Sequence, residues 1–202
     1  MFIKSSRAEK KRKTRRAILA AAREEFEARG FDGASVRAIA DRAGVAAGTV
    51  VLHFGAKSEL LHAAFFEDLD AVLRSALAEP GPGPLAAQLT RLAGAVFDHY
   101  LERPALSRTQ LKESLFAAPP WDEAFGGQVT QTHETVAAWV GAAVARGELR
   151  DDANAPLIAA SYLSFFYFAL LGWARGSVES PAVLVGSLIE HQLAPWRREA
   201  QS

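Results

Sequence analysis

Cysteine is absent from the 202-residue chain, which removes disulfides, thiolate metal sites and thiol nucleophiles together. The five histidines, His53, His62, His99, His133 and His191, show no HExxH-type metal spacing. No Gly-x-Ser-x-Gly elbow occurs, and no glycine-rich loop has the spacing that cradles a phosphate; Gly81 and Gly83 sit between prolines. Alternating strand patterns are not evident. The longest apolar stretch, residues 157–173, is short for a membrane span, contains Ser161, Ser164 and Gly172, and lacks a flanking basic cluster. The basic N-terminus runs into a helical pattern without an apolar h-region, so no secretory signal is expected. These absences argue against an enzyme. They predict no catalytic residue, no metal, no cofactor, no membrane partner and a cytoplasmic location.

Present instead is a large apolar fraction, half of all residues, enough to bury a core in one large domain or two small ones. The net charge is zero, yet residues 1–57 carry thirteen Lys/Arg against six Asp/Glu, a net +7, and the remainder carries a net −7. A basic head on an acidic body is what a chain shows if only the head meets a polyanion. A solvated basic tail accounts for the charge alone equally well.

Apolar residues recur with helical spacing throughout, punctuated by Gly and Pro. A first helix is expected from about Lys10 to Arg29, with Ile18, Leu19, Ala22 and Phe26 on one face and Gly30 at its end. A short second helix follows Ser35, a good N-cap, and carries Val36, Ile39 and Ala40 until Gly44 stops it. A third spans about 46–54 and a fourth about 57–78. Pro80-Gly81-Pro82-Gly83-Pro84 is the clearest linker. Helices are expected beyond it at about 85–102, 105–117, 121–146, 154–175 and 181–198, with Asp151-Asp152 as a capping turn before Pro156. The fold class is therefore all-α, with about nine helices.

The informative segment is Ser35-Val-Arg-Ala-Ile-Ala-Asp-Arg-Ala-Gly44-Val45, followed by Ala46-Ala-Gly48-Thr49-Val-Val-Leu-His53-Phe54. Two short helices joined by a tight turn at Gly44 are what a helix-turn-helix needs, and glycine takes positive φ there without penalty. Val45 is placed for the corner between the helices. Ile39, Ala40, Val50 and Phe54 supply the small core that holds the second helix toward a major groove.

The string Gly44-Val45-Ala-Ala-Gly48-Thr49-Val-Val-Leu-His53-Phe54-Gly-Ala-Lys57-Ser-Glu-Leu60-Leu61 resembles the signature of the TetR (tetracycline-repressor-like) family. So does the preceding Ile18-Leu-Ala-Ala-Ala, Phe26, Gly30-Phe31 and Ser35-Val-Arg37-Ala-Ile39-Ala40. The resemblance covers about residues 14–62 and beyond them rests on length and helical layout. It implies a three-helix DNA-binding domain over residues 1–56 and a larger ligand-binding and dimerisation domain over 57–202. By position, Arg37 matches a residue that reaches a base edge, where its fork suits guanine O6 and N7. Gly48 and Thr49, beside Ala47, match residues that approach DNA closely, as Ser35 does at the start of the preceding helix. His53 and Lys57 match contacts to the DNA backbone, where helix amides also favour anions.

Two departures stand out. The family has Ser or Thr where this chain has Ala46, which cannot cap the recognition helix, and Tyr where it has Val51. Base reading then leans on Arg37, Thr49 and DNA shape. The cluster Lys4, Arg7, Lys10, Lys11, Arg12, Lys13, Arg15 and Arg16 compensates if it follows the backbone or enters the minor groove; Lys11 and Arg15 are the candidate contacts.

Aromatics concentrate in the second half: Phe97, Tyr100, Phe116, Trp121, Phe125, Trp139, Tyr162, Phe165, Phe166, Tyr167, Phe168 and Trp173. Most are expected in the core. The 154–175 helix is apolar around its whole circumference, so it reads as buried on nearly all sides, one face against its own subunit and the other under a further cover. The resemblance implies that this cover is a second copy, with the 181–198 helix completing an intersubunit four-helix bundle. His99, Tyr100, Trp121, His133, Tyr162 and Phe166 are the candidate ligand-binding residues, for a small hydrophobic or aromatic effector. The expected function is a sequence-specific regulator, a repressor released by that effector from a pseudo-palindromic operator. The alternative is a ligand-binding or scaffold protein with a weakened, non-specific DNA-binding head.

Overall fold

A computed structural model describes residues 2–115 and 117–198, with side chains from residue 7 onward. The side chain of Lys4 and the whole of Phe116, both singled out above, lie outside the described residues. Among the described residues there are nine α-helices and no strand: α1 (Phe2–Gly33), α2 (Val36–Ala43), α3 (Ala47–Phe54), α4 (Lys57–Ala78), α5 (Leu85–Glu102), α6 (Pro104–Ser114), α7 (Trp121–Ala145), α8 (Ala155–Ala174) and α9 (Pro181–Leu193). A single 3-10 turn, Ala194–Trp196, follows α9. Helix α1 begins earlier than expected, near Phe2, because the basic residues before Lys10 are themselves good helix formers. It is interrupted, as expected, at Gly30, whose φ of 66° and ψ of −179° are open to glycine and strained for other residues.

The chain divides into two compact units. The first comprises Met1–Asp68 together with Leu101–Asp122, so α6 and the first half of α4 belong with the head. The second comprises Leu69–Tyr100 and everything from Glu123. The division falls inside α4 rather than before it, because the early residues of α4 are core residues of the head. Leu60, Leu61, Ala63 and Ala64 pack with Ile18, Leu19, Ala22 and Phe26 of α1, Ile39 and Ala40 of α2, Val50 and Phe54 of α3, and Leu106 of α6. Each leucine, isoleucine, valine or phenylalanine of this set withdrawn fully from water contributes about 1.5–3 kcal/mol, so the unit cannot do without α4 and its Leu60 and Leu61. Glu27 of α1 accepts from the backbone N–H of Leu106 at 2.7 Å, capping a first turn of α6 that its own side chains leave open.

In the second unit α8 packs on α9, and Tyr162, Ile158 and Ala159 of α8 are buried with Leu89, Ala93 and Phe97 of α5, Val136 and Val140 of α7, and Val185 and Ile189 of α9. The Pro/Gly segment before α5 is held rather than loose. The Gln88 amide donates to the carbonyls of Gly81 and Gly83, and Arg91 to those of Pro80 and Pro82. The cap of α8 differs from the expected one. Asn154 accepts from the N–H of Leu157 at 3.0 Å, whereas Asp151 pairs with Arg198 and Asp152 with Arg150. Asn154 lies in the N-cap register before Pro156, and the aspartates lie too far upstream to reach it.

Candidate nucleic-acid interface

Local geometry builds the turn that the sequence spells. Ser35 is extended (φ −127°, ψ 145°), and its Oγ accepts from the Ala38 N–H at 3.1 Å, starting α2. Gly44 ends α2 in the left-handed region (φ 68°, ψ 34°), with its N–H directed at the carbonyls of Ala40 and Asp41. Val45 is half-buried against the head's core. Ala46 holds an N-cap backbone conformation before α3 but supplies no side-chain hydrogen bond. Ala47 and Gly48 are exposed and Thr49 is half-buried in the first turn of α3, while Val50 and Phe54 anchor the helix from beneath.

The head's cations sort into two sets. Arg15 forms an ion pair with Glu67 and lies over the Phe54 ring, 4.7 Å from its centroid. Arg23 reaches Asp68 and the Ala64 carbonyl, and Arg42 reaches Glu24 and the buried Glu25. Lys57 donates to the carbonyls of Phe31 at 2.6 Å and Ala34 at 3.0 Å, with its ammonium 4.4 Å from the Phe31 ring centroid. It therefore closes the end of α1, and one of its three N–H groups remains for an outside anion. Arg7, Lys10, Lys11, Arg12, Lys13, Arg16 and Arg37 form the other set: all are exposed, and none makes an ion pair or hydrogen bond with a described residue. Of the two candidates on α1, Lys11 is turned to solvent and Arg15 is tied into the fold.

His53 is half-buried, its ring 6.1 Å from that of Phe54. The Ser35 hydroxyl, accepting from the Ala38 N–H, retains its own proton to donate. Arg37 is exposed on α2, two residues before Ile39 and three before Ala40, the buried residues that fix that helix from within. Sequence reasoning passed over Leu52, which is 85 % exposed. Its position two residues from buried Val50, about 200° round the helix and so on its reverse, was available from periodicity alone. Glu67, Asp68 and Glu24, which neutralise the inward cations, carried no local signal.

The six proposed ligand-binding residues do not form one set. Trp121 belongs to the first unit, where its indole N–H donates to Glu59 at 2.7 Å and its ring packs against His62 and Phe66. The other five lie in the second unit. There the Tyr162 hydroxyl donates to the Leu89 carbonyl at 3.3 Å, Phe166 stacks on Phe97 with centroids 4.6 Å apart, and Tyr100 meets Trp173 edge-on. His99 lies edge-on to Tyr100, and half-buried His133 places Nε2 3.1 Å from the Pro156 carbonyl. Burial pushes the hydroxyls of Tyr100 and Tyr162 well above the ordinary tyrosine value, so both stay neutral. His62, which sequence reasoning left unassigned, is buried with Nδ1 3.2 Å from the Gln110 amide nitrogen. Burial lowers its pKa, against the opposing pull of Glu59 and Glu113. Among the described residues no cluster of His, Asp and Glu is placed to hold a metal ion.

Apolar surface is left open on α8 and α9. Leu157 (60 %), Phe168 (64 %), Leu171 and Tyr167 are exposed on α8, and Val183 (67 %) on α9. Helix α8 is thus only partly buried within one chain, rather than on nearly all sides. It is also long and apolar enough, by length and composition, to cross a membrane. Its other face, with Ile158, Tyr162, Ala169 and Trp173, is packed inside the second unit.

Comparison with known proteins follows the same division. Residues 18–64 match the family model for bacterial regulatory proteins, tetR family. A TetR transcription regulator from Haloarcula marismortui is similar with a TM-score of 0.77 at 16% identity, over 92% of this chain and 98% of that one. Salmonella enterica GusR is similar with a TM-score of 0.67 at 25% identity, over 90% and 95% of the two chains. FadR from Bacillus subtilis, in complex with stearoyl-CoA, gives 0.70 at 18% identity, over 86% and 95%. No curated protein matches. At the lower identities the likeness is one of fold.

Proposed function

We propose that this chain, whose residues 18–64 match the tetR-family model, is a tetR-family protein and a homodimeric, sequence-specific DNA-binding repressor released by a small hydrophobic or aromatic effector. The observation that carries the reading is the sorting of the head's cations. Arg15, Arg23, Arg29, Arg42 and Lys57 are paired or capped within the fold, whereas Arg7, Lys10, Lys11, Arg12, Lys13, Arg16 and Arg37 are exposed and unpaired among the described residues, where phosphates and a guanine edge would neutralise them. A head that had lost its partner would have no electrostatic reason to keep that outer set. Arg37 reads a base, Ser35, Gly48, Thr49 and His53 bring α2 and α3 close to the backbone, and Lys11 with its neighbours adds salt-dependent attraction.

The apolar face of α8 and Val183 of α9 support dimerisation: a second copy related by a two-fold axis covers both at once and presents two heads to one pseudo-palindromic site. The stearoyl-CoA held by FadR of Bacillus subtilis supports a hydrophobic effector in the second unit, near Tyr100, Tyr162 and Phe166. Helix α4 contributes residues to both units, so an effector that favours one arrangement of the second unit also biases the spacing of the heads. Selection from a randomised duplex library at two salt concentrations tests the reading. It is expected to enrich a palindrome with half-sites about one helical turn apart. Retention that is weak, unenriched and abolished by moderate salt would favour the weakened-head alternative, for which the uncapped Ala46 speaks.

A further inference from the structure

The surface of α3 that faces away from the core is almost bare of hydrogen-bonding groups. Val50 and Phe54 are buried, and a turn of about 100° per residue sets Gly48 and Leu52 opposite them, with Val51 and Thr49 on the flanks. Leu52 is 85 % and Val51 51 % exposed. A Cβ added at Gly48 would meet nothing within 4 Å, so Leu52 stands beside open space one turn N-terminal to it. Single exposed leucines are common on protein surfaces. Two adjacent apolar side chains on the outward face of the second helix of a helix-turn-helix, within a segment (residues 1–57) of net +7, need a partner that core packing does not provide.

That partner is constrained by chemistry. In the major groove guanine, adenine and cytosine are told apart by donors and acceptors, and the one apolar feature is the C5-methyl group of thymine. Leucine and valine have no group that reads a donor or acceptor. They do gain from withdrawing a methyl group from water.

We propose that Leu52, flanked by Val51, is a specificity-determining residue that reads thymine methyl groups in each operator half-site. The proposal rests on the DNA-binding reading above and adds the base class read by α3, while Arg37 on α2 reads guanine independently. The test uses full-length protein and the selected operator. That duplex is resynthesised with deoxyuridine replacing thymine at one symmetric pair of positions at a time, so that only the methyl group is lost. At the contacted pair affinity falls about tenfold, the product of about three- to fourfold from each half-site. In Leu52→Ala the preference for thymine over deoxyuridine disappears. Arg37→Ala weakens binding to both duplexes and leaves their ratio unchanged. Equal affinity for every thymine and deoxyuridine pair, half-sites without thymine, or a preference that survives in Leu52→Ala would each overturn the proposal with the DNA-binding reading intact. A selection that enriches no sequence would overturn both.

Discussion

The two units of this chain use their polar and apolar residues in opposite ways. In the first, charged groups cross between helices and fasten them: Arg15 to Glu67, Arg23 to Asp68, Arg42 to Glu24, Lys57 to the end of α1, Glu27 to the start of α6. Among the described residues, its unpaired charges include a run of exposed cations, Arg7, Lys10, Lys11, Arg12, Lys13, Arg16 and Arg37. In the second, ties between helices are mainly aromatic and aliphatic, as in Phe97 on Phe166 and Tyr100 on Trp173, and the surface left over on α8 and α9 is apolar. Surplus of each kind points to a different partner. Unpaired cations suit a polyanion, and an uncovered apolar face suits another apolar face.

The sharpest way to break this contrast is to charge the apolar face. Phe168→Glu is expected to convert dimer to monomer in sedimentation, and to lower operator affinity at least about a hundredfold once the two heads are no longer joined. A variant that stays dimeric would place the interface elsewhere. A smaller effect distinguishes the two sets of cations in the head. Arg15→Ala should cost about 1 kcal/mol of stability through its half-buried ion pair and its contact with Phe54, read as a lower midpoint of denaturant unfolding. Lys11→Ala should leave stability unchanged and reduce the slope of log affinity against log salt by about one. The reverse pattern would mean that the sorting of the cations has been misassigned.

The smallest expected effect is one of pH. His62 has a folded pKa below its ordinary value of 6.5, chiefly through burial, so the unfolded chain binds the proton more readily. Its neutral form is favoured in the fold, and the head should lose stability as pH falls below 6.5. In His62→Gln that part of the pH dependence should vanish, read as a flatter profile of unfolding midpoints between neutral and mildly acidic pH. A profile identical to that of the unsubstituted chain would show that His62 does not contribute.

Legibility in the sequence followed the range of the interactions. The cap at Ser35, the left-handed Gly44, the break at Gly30 and the full extent of α4, Lys57–Ala78, depend on residues within a turn of one another, and periodicity and turn chemistry reveal them. The family resemblance lay in the same short-range segment, and the family match covers 18–64. Arg15, Lys57 and Trp121 were read as outward-facing or ligand-facing because their partners, Glu67, Phe31 and Glu59, lie far off in sequence. The assignment of α6 to the head failed to show for the same reason: its tie to Glu27 spans 79 residues. Asn154 is the exception, a short-range cap that was missed because two aspartates nearby drew the assignment instead.

On the proposed reading, the outer cations attract DNA and Arg37 makes the first unit sequence-specific. The most direct test of that reading compares the full-length chain with Arg37→Ala on the selected palindrome and on a scrambled duplex at one salt concentration. Arg37→Ala is expected to lower affinity for the palindrome by about ten- to a hundredfold and to leave the scrambled duplex nearly unaffected, as loss of a bidentate base contact requires. Equal small losses on both duplexes would contradict that reading, reducing Arg37 to one more phosphate-attracting charge.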